Sequence, residues 1–250
     1  MKINTTITKK EYYKEITSLA LPAFLEKLLL TLVGLVSTIV IGKAVGSEAM
    51  SSLTVATTIT DILQSVFIGF GFGASIIIAR DESHKKAFTN KATLNSIYLN
   101  AAFGLLLGLL CMIFLKALLG FMFSSKTASV TSGAISYLYM ILPFSAVASV
   151  DVAISSCFRG AHDAKTPFYV TAAVNVINAI CCVIFIGFLK MGIKGAAVSY
   201  IISTLIGCAV RISLLFNKKS VIHLEGFHRP DFLLIRRIMH HWHQPFRLSL

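Results

Sequence analysis

Six apolar runs, each long enough to cross a lipid bilayer, constrain this chain more than any other feature of its sequence. They extend from Ile16 to Ile41, Ser52 to Ala79, Ala92 to Leu115, Gly133 to Cys157, Phe168 to Leu189 and Ile193 to Phe216. A helix needs about 20 residues to cross the ~30 Å hydrocarbon layer. In lipid every backbone N–H and C=O must be satisfied within the spanning structure, which leaves helices or a closed barrel. A barrel would read as alternating segments of about ten residues, and these runs do not alternate. The expected fold class is therefore an all-α integral membrane protein with six transmembrane helices. Composition agrees: 56% of the residues are apolar, 14% are charged and the mean hydropathy is +0.78, more apolar surface than one soluble core of this size could bury.

Short turns separate the runs, so neighbouring helices should pack antiparallel. Lysine and arginine then orient them. With the N-terminus inside, the inner segments carry 17 basic residues and the outer ones five, Lys43, Lys116, Lys126, Lys190 and Lys194. Both termini are thus expected in the cytoplasm, in a multi-pass protein of the cell membrane. The domains expected are a cytoplasmic tail over 1–15, a six-helix lobe over 16–216, and a basic amphipathic linker and tail over 217–250. Lys2, Lys9, Lys10 and Lys14 ahead of the first run resemble a signal peptide, but the run is too long and lacks a small-x-small cleavage site.

The net charge of +12 does not indicate nucleic acid, because the basic residues punctuate apolar runs instead of forming one patch with interleaved aromatics. All five cysteines fall inside the runs and read as free thiols packed like small hydrophobes.

Ionisable residues inside a span are expensive unless they face protein or water, so each is a functional candidate. There are four: Glu26, Lys27, Asp61 and Asp151. Glu26 lies about ten residues into its helix, ~15 Å from the cytoplasmic end. Lys27 points about 100° away from it and either bonds a carboxylate on another helix as a structural residue or is itself functional. Thr54, Thr57, Asp61, Gln64 and Ser65 share one face of the second run, which suits a wet cavity, or an interface glued by hydroxyl and amide bonds. Thr171, Asn175, Asn178 and Cys182 repeat the pattern in the fifth run, and Asp151 with Ser155 adds a carboxylate nearer the cytoplasm. Three carboxylates against one lysine favour cationic or amphiphilic cargo.

Small-residue faces at GFGFGAS (Gly69 to Ser75), GLLLG (Gly104 to Gly108) and Ser199, Ser203 and Gly207 permit close helix packing. Pro22 and Pro143 each remove a helical hydrogen bond and favour a kink, useful either for bending or for local packing. No nucleotide-binding, hydrolase or metalloprotease motif is present. No catalytic residue, metal site or cofactor is expected, and the chain is not expected to be an enzyme.

The stretches LALPAFLEKLLLTLVGLVSTIVIGKAVGSEAMSSLTVA, GFGFGASIIIAR and FRGAHDAKTPF resemble the MATE (multidrug and toxic compound extrusion) transporters of the MOP superfamily, from about Ile16 to the basic residues near Arg237. The most specific piece is a cytoplasmic R-x-x-G-D-T-K-T-P element, matched by Arg159, Asp163, Lys165, Thr166 and Pro167, with His162 and Ala164 in place of its Gly and first Thr. In the chain's own terms Thr166 can cap the fifth helix and Pro167 fits its first turn. The resemblance implies a cation-coupled antiporter of two six-helix lobes, exporting organic cations or drug-like molecules against Na⁺ or H⁺, with that ion as its only cofactor. It places Asn175 and Asn178 beside the ion site. Many members carry Asp in the first span where this chain has Ser37, so Glu26, Asp61 or Asp151 would bind the cation instead.

Only one lobe is covered, so the expected partners beyond substrate and membrane lipid are a second lobe or a second copy of the chain. Beyond the sixth run, RPDFLLIRRIM reads as a surface linker. HHWH (His240 to His243) lacks the four placed ligands of structural zinc and is expected to mark a loss of reading frame near Met239. The alternatives to the antiporter are a lipid-linked saccharide flippase of the same superfamily and a non-functional truncated product.

Overall fold

A computed structural model describes residues 41–80, 86–122, 128–217, 220–224 and 230–243, with scattered positions between 17 and 39. The described positions of 17–44 are helical and are called α1. There follow α2 (Ser47–Ala79), α3 (Lys86–Met122), α4 (Ala128–Ile141), α5 (Ser145–Gly160), α6 (Lys165–Cys182), α7 (Ile193–Leu215) and α8 (Phe232–His243). No strand occurs among the described residues. Five stretches there are long and apolar enough to cross a membrane: α2, α3, α4 joined to α5, α6 with its continuation, and α7. These are the second to sixth runs of the sequence. Pro22, Glu26, Lys27 and Ser37 lie outside the described residues.

The second span begins earlier than its apolarity suggests. α2 starts at Ser47, and the hydroxyls of Ser51, Ser52 and Thr54 are satisfied within it by donating to the carbonyls of Ser47, Glu48 and Met50 one turn before them. Polar residues thereby continue the helix. The fourth span is interrupted where Pro143 lacks an N–H: Leu142–Phe144 forms a 3₁₀ turn between α4 and α5. α6 ends in a π-helical segment, Val183–Phe188.

Two apolar clusters fill the interior. One gathers Leu53, Ala56, Leu115, Leu138 and Ala197 from α2, α3, α4 and α7. The other gathers Phe70, Ala74, Leu94, Ile154 and Phe158 from α2, α3 and α5, with Leu234 and Ile238 from α8. Ile113 and Phe114 instead face outwards, as a lipid-facing surface requires.

The small-residue faces give close approach. A Cβ at Gly104 or Gly108 would fall inside contact distance of Ser149 or Ser145. The space is used for hydrogen bonds: Ser145 Oγ donates to the Gly104 carbonyl and Ser149 Oγ to that of Asn100, both at 2.8 Å. Gly71 meets Ser156, and Gly160 meets Ser75, so α2 and α5 run side by side in parallel.

The linker is amphipathic but turns its buried apolar residues towards the lobe. Asp231 caps α8 by accepting from Leu233 and Leu234 N–H, while its own N–H donates to Asn95 on α3. Ile238 is fully buried against Gly73 of α2. The helix continues through His243, so HHWH extends the same helical turn sequence.

Candidate functional site

A threonine row on α2 leads into a cavity of about 740 Å³ among the described residues. Thr54, Thr57, Asp61, Gln64 and Ser65 all line it, and Thr171, Asn175, Asn178 and Cys182 of α6 form the opposite wall. Asp151 and Ser155 enter from α5, Tyr200 and Arg211 from α7, and Thr31, Gly34 and Thr38 from α1. Of the six cavity residues expected from the sequence, the structure brings Asp61, Gln64, Asp151, Asn175 and Asn178 together. Glu26 lies outside the described residues.

Four cross-helix bonds tie the walls. Gln64 Nε2 donates to Tyr200 Oη at 3.2 Å. Asn178 Nδ2 donates to Ser203 Oγ at 3.1 Å, and that hydroxyl donates to the Tyr200 carbonyl. Furthest towards the Gly160 end, Arg211 Nη1 meets Asp151 Oδ1 at 2.5 Å and Nη2 donates to Thr171 Oγ1 at 2.7 Å. Gly207, one turn before Arg211, leaves room for the pair: a Cβ there would lie 3.3 Å from Arg211 Nη1 and 3.6 Å from Asp151 Oδ1.

This pair corrects two expectations. Arg211, one of the 17 basic residues counted to the cytoplasmic side from the sequence, is 3% exposed inside α7. Its removal from the basic count does not reverse the bias. Asp151, in turn, is not a free carboxylate, because a guanidinium already neutralises it. Asp61 differs: it is exposed, and no ion pair to it occurs among the described residues. The sequence signal for Arg211 was available, since an arginine embedded in AVRISLL is an intramembrane charge like the other four. Its closeness to the helix end disguised it. Tyr200 gave no signal, being one aromatic among many.

The loop between α5 and α6 folds around Asp163. Thr166 N–H donates to Asp163 Oδ1 at 3.0 Å and Thr166 Oγ1 to Oδ2 at 2.6 Å. Asp163 is therefore the capping acceptor and Thr166 a donor, the reverse of the expected role for Thr166. Lys165 and Pro167 open α6, as a first-turn proline allows, and Arg159 reaches the cavity. His162 adopts φ 61°, a left-handed conformation that favours glycine.

A family model described as MatE matches residues 22–184. The chain is 31% identical over 235 residues to a probable multidrug resistance protein NorM of Thermotoga maritima, covering 92% of this chain and 50% of that protein. It is 27% identical over 228 residues to a probable multidrug resistance protein YoeA of Bacillus subtilis, covering 87% and 48%. Its fold is similar to the solved outward-facing structure of a multidrug resistance MATE family transporter of the MOP superfamily, with a TM-score of 0.82 at 20% identity, over 90% of this chain and 50% of that one. The chain thus spans about half the length of these relatives.

Proposed function

The chain belongs to the MatE family, and we propose that it forms one lobe of a cation-coupled exporter of drug-like organic cations. Asp61 carries this reading. An exposed carboxylate without a counter-charge among the described residues, on a wall of threonines and a glutamine, is an acceptor for a cationic group. Gln64 and Asn178, bonded across to α7, hold that wall in register. Na⁺ or H⁺ would compete for the same carboxylate, which couples ion entry to cargo release. By the distribution of basic residues the Ala79 and Gly160 ends face the cytoplasm and the protein lies in the cell membrane. The closing wall would come from a second lobe, or from a second copy of the chain.

Transport of a fluorescent organic cation in vesicles carrying the chain, with and without an imposed Na⁺ or H⁺ gradient, tests the reading. Gradient-dependent flux abolished by Asp61→Asn is expected. Flux indifferent to both gradients would overturn it. The lipid-linked saccharide flippase is the second reading, favoured by Arg159 and Arg211 on the cavity wall; it predicts lipid translocation with no dye movement.

A further inference from the structure

The short helix α8 lies outside the five spans and carries apolar residues on both of its faces. Leu234 and Ile238 are buried against the lobe, whereas Phe232 and Leu233, turned away from it, are 79% and 80% exposed. Arg236 and Arg237 are exposed as well. Each follows one of that apolar pair by one turn, so apolar and cationic side chains alternate on a single outer face. Neither arginine has an ion pair among the described residues. Asp231, the acid at the start of the helix, is engaged there, with its Oδ1 accepting from Leu233 and Leu234 N–H.

Depth narrows the partner. Ile238 seats on Gly73, which precedes the end of α2 at Ala79 by about 9 Å of helix rise. At the start of α8, Asp231 N–H bonds Asn95, about 6 Å of rise beyond Lys91 of α3. Both docking points fall within stretches long and apolar enough to cross a membrane, while Arg80 and Lys91, both exposed, stand further out. This is the depth of the boundary between acyl chains and headgroups, at which an amphipathic helix buries its apolar residues and arginine stems carry their guanidinium groups outwards. A soluble anion would answer the arginines and leave Phe232 and Leu233 in water. A lipid without net charge would cover the apolar pair and leave two positive charges unanswered. An anionic phospholipid satisfies both requirements, because its phosphate accepts from a guanidinium and its chains cover the apolar side chains.

We propose that the outer face of α8 is a binding site for an anionic phospholipid. Arg236 and Arg237 hold its headgroup, Phe232 and Leu233 lie among its acyl chains, and the contacts to Gly73 and Asn95 fix the helix at the depth where both can happen. The site is separate from the cavity and independent of what the cavity carries.

The test counts the lipids retained by the full chain on release from nanodiscs that hold equal amounts of phosphatidylglycerol and phosphatidylcholine with the same acyl chains, by native mass spectrometry. The first lipid retained by the wild type should be phosphatidylglycerol by about thirtyfold, because each basic residue near an anionic surface contributes about fivefold. Arg236→Gln or Arg237→Gln alone should each lower the ratio about fivefold, and the two together should bring it close to one. Phe232→Ser with Leu233→Ser should reduce retention of both lipids and leave the ratio in place. A ratio near one for the wild type, the result if a protein partner covers α8 instead, overturns the site. So does a preference that survives the double glutamine variant, or displacement of phosphatidylglycerol by millimolar inorganic phosphate, which would show an anion site that needs no lipid. No transport is measured, so failure here leaves the reading of the cavity standing.

Discussion

The α3–α5 seam and the cavity wall are built from the same small polar residues and use them in opposite ways. In the seam, Ser145 and Ser149 send their hydroxyls across to the carbonyls of Gly104 and Asn100, and glycine brings the backbones together. On the wall, Thr54, Thr57 and Ser65 return their hydroxyls to their own helix, to Met50, Thr54 and Asp61. A hydroxyl bonded to its own helix leaves its surroundings open for water or cargo. One bonded to a neighbour joins two helices. Apolarity cannot distinguish the two cases, and a facing glycine alone does not either: Ser156 faces Gly71 yet bonds the Val152 carbonyl of its own helix.

The comparison can be broken most forcefully at the one place where the wall is knit as tightly as the seam. Arg211→Met should destabilise the lobe by about 3–5 kcal/mol, because removing one member of a buried pair strands the other. Adding Asp151→Asn should recover most of that loss, read as the thermal midpoint in detergent. In the seam, Gly108→Val should cost about 3 kcal/mol by overpacking against Ser145. The same assay on Gly34→Val of α1, whose Cβ meets nothing within 4 Å, should give less than about 1 kcal/mol.

Smaller effects sharpen the distinction. His162→Gly should stabilise the α5–α6 loop by about 1 kcal/mol, since φ 61° penalises a side chain. A lower midpoint in that variant would mean that the imidazole makes a compensating contact. Ser145→Ala should cost about 1 kcal/mol for its lost interhelical bond, whereas Thr57→Ala on the wall should move stability by less than about 0.5 kcal/mol. Equal losses from the two would remove the contrast between seam and wall.

The second to sixth spans were legible because twenty apolar residues in lipid admit few alternatives, and the cavity faces because Asp61, Gln64 and Ser65, like Thr171, Asn175 and Asn178, recur at helical spacing. The kink at Pro143 follows from its missing N–H. Pairings between helices were not legible. Arg211 stands four residues before the end of α7, where a positive charge is commonly a flank, and only the approach of α5 turns it into the partner of Asp151. The α5–α6 loop misled for a related reason. Asp163 and Thr166 can each cap a helix, and their relative geometry decides which accepts. For α8, amphipathicity announced a buried face without saying whether lipid or protein would bury it; Gly73 supplied the site on the lobe.

The Asp151–Arg211 pair also has a history in time. Its members are 60 residues apart, so during synthesis the fourth span leaves the ribosome well before the guanidinium that will neutralise it. Until the sixth span arrives, the carboxyl group waits without its guanidinium. Closure of the pair is therefore a late event in biogenesis, and it clasps the last helix of the lobe to one inserted two spans earlier.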